Sequence, residues 1–169
     1  MGLESIRAVI CDVDGVLTDG GITIADDGTE TKCFHVWDGT GIKYLLRSGI
    51  QVAFLTGRES GCVTRRAKEL GVAHVRQGAK EKLSAYQELV AEMGLTDEAV
   101  CFVGDDLPDL PVMRRVGFAV AVANARQEVR AVAHYVTYTP GGRGAVRELA
   151  ERLLREQGKW PDILSRYLP

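Results

Sequence analysis

The sequence reads Ala8-Val9-Ile10-Cys11-Asp12-Val13-Asp14-Gly15-Val16-Leu17-Thr18-Asp19-Gly20 near its beginning, and this stretch decides the fold. Its first four residues are apolar and are followed at once by an Asp-x-Asp-Gly turn. Continuous rather than alternating apolarity predicts a strand that is covered on both faces, as in a parallel sheet. Similar runs recur at residues 52–55, 100–103 and 119–122, with weaker strand candidates at residues 72–75 and 135–137.

Segments of helical length separate these strands. Their apolar residues recur at the three- and four-residue spacing of an amphipathic helix. The predicted helices cover residues 38–49, with Asp38 as N-cap and Gly49 at the end, and residues 62–70, 81–93 and 144–156. Alternating strands and helices predict a doubly wound α/β fold of the Rossmann type, with a mostly parallel sheet and right-handed crossovers. We expect residues 1–169 to form a single domain.

One stretch interrupts this alternation. The β-prone runs 22–24 and 31–36 flank Asp26-Asp27-Gly28, and Asp-Gly between such runs is a hairpin signal. We therefore expect a β-hairpin over about residues 21–36, inserted directly after the first strand. At the other end, residues 158–169 contain one glycine and two prolines and are expected to form an extended tail.

Composition and charge exclude several classes of protein. The chain has 21 Lys and Arg against 23 Asp and Glu, a net charge of −2, which argues against a nucleic-acid binder. Its apolar runs are well short of the ~20 residues that a membrane helix needs, and no secretory signal opens the sequence. The four cysteines, Cys11, Cys33, Cys62 and Cys101, show no CxxC spacing. We therefore expect a protein of a reducing compartment, the cytoplasm, without nucleic-acid or membrane partners.

Polar side chains follow the predicted strands at the point where each strand ends. Asp12 and Asp14 follow the first strand, and Thr56 follows the second. Lys82 opens the helix after the third strand, and Asp105 follows the fourth. In an open α/β sheet, ligands bind outside the carboxyl ends of the strands, so we expect these side chains to converge on one edge.

Converging carboxylates require a cation. Two like charges ~4 Å apart repel by about 4 kcal/mol at an effective dielectric constant of ~20. Asp12, Asp14 and Asp105 together therefore need a metal ion, and oxygen ligands select a hard one, Mg²⁺ first. Asp12 on the metal is the candidate nucleophile, and Asp14 is the candidate general acid and base. Thr56 and Lys82 would hold the oxygens of a phosphoryl group and neutralise its charge.

These residues resemble the motif set of the haloacid dehalogenase superfamily of phosphohydrolases. The set is Asp12-Val13-Asp14-Gly15-Val16, Thr56, Lys82 and Gly104-Asp105-Asp106-x-x-Asp109. The chain as a whole is similar to the small, capless branch of that superfamily, which includes sugar-acid phosphatases. The features shared with that branch are the hairpin, His35-Val36-Trp37-Asp38-Gly39, Leu55-Thr56-Gly57-Arg58 and Gly141-Gly142-Arg143-Gly144. The resemblance implies a sheet of haloacid dehalogenase type without a cap domain.

Site residues follow from the resemblance position by position. In the family, Mg²⁺ is held by the side chain of the first Asp, the backbone carbonyl of the second and the first Asp of the late acidic pair. Here these residues are Asp12, Asp14 and Asp105. Thr56 and Lys82 join the Asp-x-Asp pair as the implied catalytic residues. The implied substrate contacts are Asp14, His35, Val36, Trp37, Asp38, Gly39, Lys43, Arg58, Arg66 and Lys82.

The resemblance also implies a function. We expect a Mg²⁺-dependent phosphatase that forms a phospho-aspartyl intermediate and acts on 3-deoxy-D-manno-octulosonate 8-phosphate in lipopolysaccharide sugar synthesis. Relatives that act on a nine-carbon keto-deoxy sugar phosphate tend to carry Glu where this chain has Arg58, which favours the eight-carbon substrate. Family members form homotetramers in which the hairpins pack together and a neighbour helps to cover the open site.

Three other functions would use some of the same residues. A nine-carbon sugar phosphatase, or a phosphatase of another acidic sugar, stays within the same class of enzyme. A non-catalytic assembly module, like the related domains fused to cytidylyltransferases, is disfavoured by the complete motif set. A receiver domain of a signalling relay uses similar residues around Mg²⁺, but it places its acidic pair after the first strand. Here the Asp-x-Asp turn comes first and the acidic pair comes last, so the receiver interpretation is poor.

Overall fold

The centre of the protein is a six-stranded sheet, seen in a computed structural model that describes residues 2–168. In chain order, the strands are β1 (Ala8–Cys11), β2 (Thr23–Ile24), β3 (Glu30–Thr31), β4 (Gln51–Leu55), β5 (His74–Arg76), β6 (Val100–Gly104), β7 (Phe118–Ala121) and β8 (Tyr135–Val136). The sheet has the order β5-β4-β1-β6-β7-β8 with every neighbouring pair parallel, and β2 and β3 form a separate antiparallel hairpin. The predicted parallel sheet with a hairpin after its first strand is confirmed.

Helices pack in layers against the sheet. They are α1 (Val36–Arg47), α2 (Gly61–Leu70), α3 (Lys82–Glu92), α4 (Leu110–Met113), α5 (Gln127–Val132), α6 (Ala145–Glu156) and α7 (Trp160–Leu164). Contacts join α1 with α2 and α6 in one group, and α4 with α3 and α5 in another. The order of the strands reverses between β1 and β6, which is the switch point where a doubly wound sheet binds its ligands. No helix within residues 2–168 combines the length and the apolarity that a membrane span requires.

The core lies between the sheet and these helices because the strands are apolar on both faces. Every residue of β1, β6 and β7 is buried, which explains why their sequences show no polar alternation. Phe54 in β4 and Phe102 in β6 are fully buried, and burial of each side chain contributes about 1.5–3 kcal/mol. These buried strands fix the positions of the polar residues that follow them in the sequence.

The start of α1 differs from the prediction. His35 is its N-cap, and His35 Nδ1 accepts a hydrogen bond from the N–H of Trp37 at 3.2 Å. The Asp38 carboxylate instead accepts hydrogen bonds from three N–H groups at the start of α6, at 3.1, 2.9 and 3.0 Å. The prediction that Asp38 caps α1 was wrong because a local pattern does not show which distant helix brings its free N–H groups to a carboxylate.

The hairpin is shorter than predicted. Its strands pair only Thr23 with Thr31 and Ile24 with Glu30. Gly28 adopts a φ of +84° in the turn between them, as the Asp-Gly signal indicates. The second predicted run does not stay extended to its end, because Val36 is already the first residue of α1.

The prediction that the chain is extended after residue 158 was wrong. Its middle forms α7, in which Trp160 and Ile163 are buried. The Trp160 ring packs edge-on against Tyr44, with 6.0 Å between the ring centroids. Pro161 lies in the first turn of α7. N–H groups of the first turn have no acceptor within the helix, so proline is compatible with a helix at this position.

Candidate active site

A cavity of about 330 Å³ opens at the carboxyl ends of the sheet strands. Its lining residues are Asp12, Asp14, Thr56, Gly57, Arg58, Ala79, Lys80, Lys82, Asp105, Asp106, Pro108 and Asp109. They follow β1, β4 and β6 or lie in and just after the loop between β5 and α3. The structure therefore brings together the five polar residues that were expected to converge on this edge.

Lys82 joins two carboxylates in this cavity. Its Nζ lies 3.0 Å from Asp12 Oδ1 and 2.6 Å from Asp109 Oδ1, and all three side chains are buried. Burial alone would lower the pKa of Lys82, but the two carboxylates raise it above its ordinary value. Lys82 is therefore a fixed positive charge next to Asp12.

Asp109 holds this arrangement in place. While its Oδ1 accepts from Lys82, its Oδ2 accepts from the N–H groups of Asp105 at 2.9 Å and Asp106 at 3.3 Å. Asp109 thus fixes both the lysine and the backbone that carries the acidic pair. Asp109 is the last residue of the acidic motif, and two roles were open for it in the sequence, a helix cap or a residue that orients Lys82. The structure shows both, because Asp109 contacts Lys82 and forms a capping box with Asp106 around the turn.

Asp12 and Asp105 form the part of the site that suits a cation. Their carboxylate oxygens and that of Asp109 lie within 4.8 Å of one another. Burial raises the pKa of Asp12 and of Asp105 to about 7, and the positive charge of Lys82 opposes the shift. Asp105 Oδ1 is buried and has no hydrogen-bond partner among the residues described. A divalent cation would satisfy this oxygen and offset the repulsion, and all-oxygen ligation suits Mg²⁺.

The loop after β1 brings Asp14 to the same cavity. Gly15 in this loop has a φ of +95°, and a Cβ there would overlap the Asp105 carboxylate, so glycine is required. Asp14 Oδ1 accepts a hydrogen bond from Lys32 Nζ, whereas Asp14 Oδ2 is buried without a partner among the residues described. Lys32 was not predicted from the sequence, because a lysine at the end of a hairpin strand has the pattern of a solvated side chain.

The second strand to contribute is β4, which ends at Leu55 and is followed by Thr56 and Arg58. Thr56 is buried, and its hydroxyl accepts a hydrogen bond from the N–H of Arg58 at 3.4 Å. The Arg58 guanidinium is 44 % exposed and lies 2.6 Å from Glu30 of the hairpin. Lys80 is a further exposed cation that lines the cavity, and it was also missed because nothing in its local pattern separates it from a surface lysine. Two positive charges at the mouth favour an anionic ligand.

The other predicted substrate contacts do not line this cavity. They are His35, Val36, Trp37, Asp38, Gly39, Lys43 and Arg66. His35 and Asp38 serve as helix caps, and Gly39 is buried where a side chain would overlap the Arg66 guanidinium. Trp37 is 60 % exposed at the start of α1. Contact between these residues and a substrate stays a prediction.

Fold and site together define a haloacid dehalogenase-type hydrolase. The defining combination is a parallel sheet that places an Asp-x-Asp turn, a threonine, a lysine and an acidic pair around one cavity. A family model described as haloacid dehalogenase-like hydrolase matches residues 72–149. The 3-deoxy-D-manno-octulosonate 8-phosphate phosphatase of Yersinia pestis is 49% identical over 155 residues, which are 92% of this chain and 83% of that protein.

Solved structures agree with this assignment. One match is the 3-deoxy-D-manno-octulosonate 8-phosphate phosphatase from Moraxella catarrhalis, whose structure contains magnesium, phosphate and KDO. The TM-score is 0.95, and the two sequences are 43% identical, with 98% of this chain and 95% of that chain covered. It matches the cobalt-bound phosphatase from Haemophilus influenzae with a TM-score of 0.90 and 44% identity over 93% and 92% of the two chains. The chain therefore belongs to the haloacid dehalogenase superfamily, in the capless branch that contains these phosphatases.

Proposed function

We propose that the protein is a Mg²⁺-dependent phosphatase that hydrolyses 3-deoxy-D-manno-octulosonate 8-phosphate to the free sugar acid and phosphate. The observation that carries the proposal is the Asp12 carboxylate, which lines the cavity beside Asp105 and is held by Lys82. The Yersinia relative is named for this substrate, and the Moraxella structure contains magnesium, phosphate and KDO. The class of enzyme is a phosphoric monoester hydrolase.

The residues that fit a metal ion are the side chains of Asp12 and Asp105 and the backbone carbonyl of Asp14. The unpartnered Oδ1 of Asp105 supports this set. Asp109 is left out of it because both of its oxygens already accept hydrogen bonds. When bound, Mg²⁺ supplies positive charge that allows an anionic nucleophile and an anionic phosphoryl group to approach each other.

Asp12 is the nucleophile of the proposed reaction. Its carboxylate oxygen attacks phosphorus, the bond from phosphorus to the sugar oxygen breaks, and a phospho-aspartyl intermediate forms. Lys82 and Thr56 contact the other phosphoryl oxygens and stabilise the charge that spreads over them. Asp14 gives a proton to the leaving sugar oxygen. It then takes a proton from a water molecule, whose oxygen attacks phosphorus and releases phosphate and Asp12.

The cations at the mouth support a sugar acid as the substrate. With phosphate placed at Asp12, the rest of the molecule extends toward Arg58 and Lys80, which line the same cavity. An arginine can pair with the C1 carboxylate through two hydrogen bonds, and an arginine rather than a glutamate at this position favours the eight-carbon sugar. The volume of about 330 Å³ suits a small molecule.

Exposed apolar residues around the hairpin support assembly. Ile22, Ile24 and Trp37 are exposed by 49, 63 and 60 %, and grouped apolar surface of this kind marks contact sites. In the homotetramer that we propose, the hairpins pack together, and the predicted contacts on α1 serve the cavity of a neighbour. The substitution Ile24→Lys should then shift the mass measured by light scattering to a smaller species. A cytoplasmic location and a role in lipopolysaccharide sugar synthesis complete the proposal.

A substrate panel tests the proposed function. With Mg²⁺, the purified protein should release phosphate from 3-deoxy-D-manno-octulosonate 8-phosphate faster than from a nine-carbon keto-deoxy sugar phosphate or glucose 6-phosphate. EDTA should stop the release. The opposite preference would establish the nine-carbon sugar as the substrate. Absence of release from every sugar phosphate would leave the non-catalytic assembly module as the better interpretation.

A further inference from the structure

Lys32 is the least expected charged residue of the molecule. It directly follows β3, a strand of only two residues on a hairpin, yet its side chain is only 1 % exposed. Lysine side chains are almost never buried to this extent without charged partners. The catalytic steps derived above do not use Lys32, so its burial calls for another explanation.

The partners of Lys32 connect the hairpin to the reacting groups. Glu30 and Lys32 are two positions apart, so an extended backbone directs both side chains to the same face of the hairpin. Lys32 Nζ binds Asp14 Oδ1 and lies 3.4 Å from Glu30 Oε1. Glu30 Oε2 in turn lies 2.6 Å from the Arg58 guanidinium. A continuous row of charges therefore runs from Asp14 to the cation at the mouth of the cavity.

In this row of charges, the two carboxylate oxygens of Asp14 have different environments. Oδ1 is held by Lys32, whereas Oδ2 is buried and has no hydrogen-bond partner within residues 2–168. The side chain of an aspartate rotates about two bonds, and a loop residue without a partner would sample several rotamers. Fixing Oδ1 fixes the direction of Oδ2, which is the oxygen left to give and accept the proton.

We propose that Lys32 is a positioning residue that holds the Asp14 carboxylate with Oδ2 directed at the leaving oxygen. The inference rests on the proposed function, because it assigns Lys32 to the acid and base steps of that reaction. Lys32 touches neither the phosphoryl group nor Asp12 in this scheme. Its loss should therefore damage protonation of the leaving group and leave the attack on phosphorus largely intact.

The choice of leaving group separates this role from a merely structural one. The sugar alkoxide needs a proton as it leaves, whereas p-nitrophenolate is stable without one. Lys32→Met should lower kcat for the sugar phosphate by about 10-fold or more, since general acid catalysis contributes roughly 10²–10⁴-fold. KM should stay within about twofold, and kcat for p-nitrophenyl phosphate should change little. Lys32→Arg, which keeps the charge and the reach, should restore most of the lost rate.

Two controls complete the experiment. Lys68→Met removes an exposed lysine of α2 and should leave both rates unchanged. In a double-mutant cycle, Lys32→Met should cost little once Asp14→Asn is present, because the two residues act as a unit. Thermal unfolding of each variant shows whether the hairpin substitution disturbs the fold.

Equal losses on the two substrates, or additive losses in the cycle, would overturn the inference and leave Lys32 as a structural tie. If Lys32→Met does not fold, Lys32→Gln, which also removes the charge, takes its place. A loss confined to the sugar phosphate supports positioning, and an unchanged or uniformly reduced rate contradicts it. A wild-type protein without phosphatase activity on either compound would instead count against the proposed function.

Discussion

The active site is built from two groups of charges that differ in how they are supported. The sheet cluster is Asp12, Lys82, Asp105 and Asp109. In it, Asp12 and Asp105 directly follow β1 and β6, which pair with each other over four positions, and Lys82 contacts Asp12 and Asp109. The hairpin cluster, which is Glu30, Lys32 and Arg58, depends on a hairpin of two paired positions. Strands covered on both faces are rigid, whereas an isolated two-stranded hairpin is marginally stable.

In the proposed reaction, the two clusters have different tasks. The sheet cluster contains the proposed nucleophile, the lysine and the candidate metal ligands, so we expect it to serve the attack on phosphorus for any ester. The hairpin cluster contacts Asp14 and includes Arg58 of the cavity lining, so we expect it to serve the leaving group and the choice of substrate. Substitutions in the first should abolish all activity, and substitutions in the second should change activity selectively.

The largest effect is expected at the nucleophile. Asp12→Asn should lower turnover by about 10³-fold or more on every substrate, because the proposed covalent intermediate forms on the Asp12 carboxylate. The measurement is phosphate release under saturating Mg²⁺, with thermal unfolding recorded in parallel. Asp162→Asn, an exposed aspartate of α7, is the matched control and should behave as wild type. Retention of substantial turnover by Asp12→Asn would contradict the assignment of the nucleophile.

A smaller effect on activity, with a clear effect on stability, is expected at Asp109. Asp109→Asn leaves Lys82 with Asp12 as its one charged partner, so the free energy of unfolding should fall by about 2 kcal/mol. Activity should fall about 100-fold on both the sugar phosphate and p-nitrophenyl phosphate, because the lysine is no longer held in place. Urea unfolding and steady-state kinetics measure the two losses.

The neighbouring Asp106 supplies the matched control for Asp109. Asp106 lies in the same turn, and its exposed carboxylate caps that turn. Asp106→Asn should therefore lower the free energy of unfolding by only a few tenths of a kcal/mol. If Asp106→Asn destabilised the protein as much as Asp109→Asn, the burial of the Lys82 ion pair would not be the reason.

Because of the sheet cluster, we also expect the stability of the metal-free protein to depend on pH. The pKa of Asp12 and of Asp105 is about 7 in the folded protein against an ordinary value of 3.8, mainly because both are buried. Between these values the folded state binds more protons than the unfolded state. The free energy of unfolding should therefore fall as the pH rises from 4 to 7 in EDTA and level off above 7.

Mg²⁺ should reverse this trend, because a bound cation favours the ionised carboxylates. Urea unfolding at several pH values, with Mg²⁺ or EDTA, measures both effects. Asp105→Asn should reduce the slope in EDTA and the stabilisation by Mg²⁺ together. A metal-free protein that became more stable between pH 5 and 7 would contradict the burial of these two carboxyls.

The smallest effect is expected in the hairpin cluster, at Glu30. Glu30→Gln releases Arg58 from a partly exposed ion pair, so the guanidinium is free for the substrate carboxylate. KM for the sugar acid phosphate should fall about two- to threefold, while KM for p-nitrophenyl phosphate, which has no carboxylate, should not change. Glu156→Gln removes a similar exposed partner from Arg152, which no part of the proposed site uses, and is the control. A rise in KM would show that Glu30 holds Arg58 in its binding position.

The same comparison explains what could be predicted from the sequence. The sheet and its cluster were predictable because buried parallel strands are continuously apolar and their catalytic residues follow directly in sequence. The position of Asp12, Thr56, Lys82 and Asp105 at one edge follows from topology alone. For Asp109, the sequence left open whether it caps a helix or orients Lys82, and the structure shows that it contacts Lys82.

The hairpin cluster was not predictable in this way. The burial of Lys32 depends on how a short hairpin folds over the loop after β1, and no periodicity in the sequence encodes that contact. The prediction of an extended tail was wrong for a related reason. Gly158 and Pro161 are typical of an extended chain, but burial of Trp160 and Ile163 stabilises α7 instead. Tertiary packing decided the structure in both places.

The Asp38 carboxylate adds a consequence for synthesis of the chain. Its three hydrogen-bond donors belong to residues more than one hundred positions later, at the start of α6. In a nascent chain that ends before α6, these three N–H groups are missing, so Asp38 has no helix to cap. Contacts of such long sequence separation slow folding. The α1 helix therefore reaches its final environment only after the ribosome has made the start of α6.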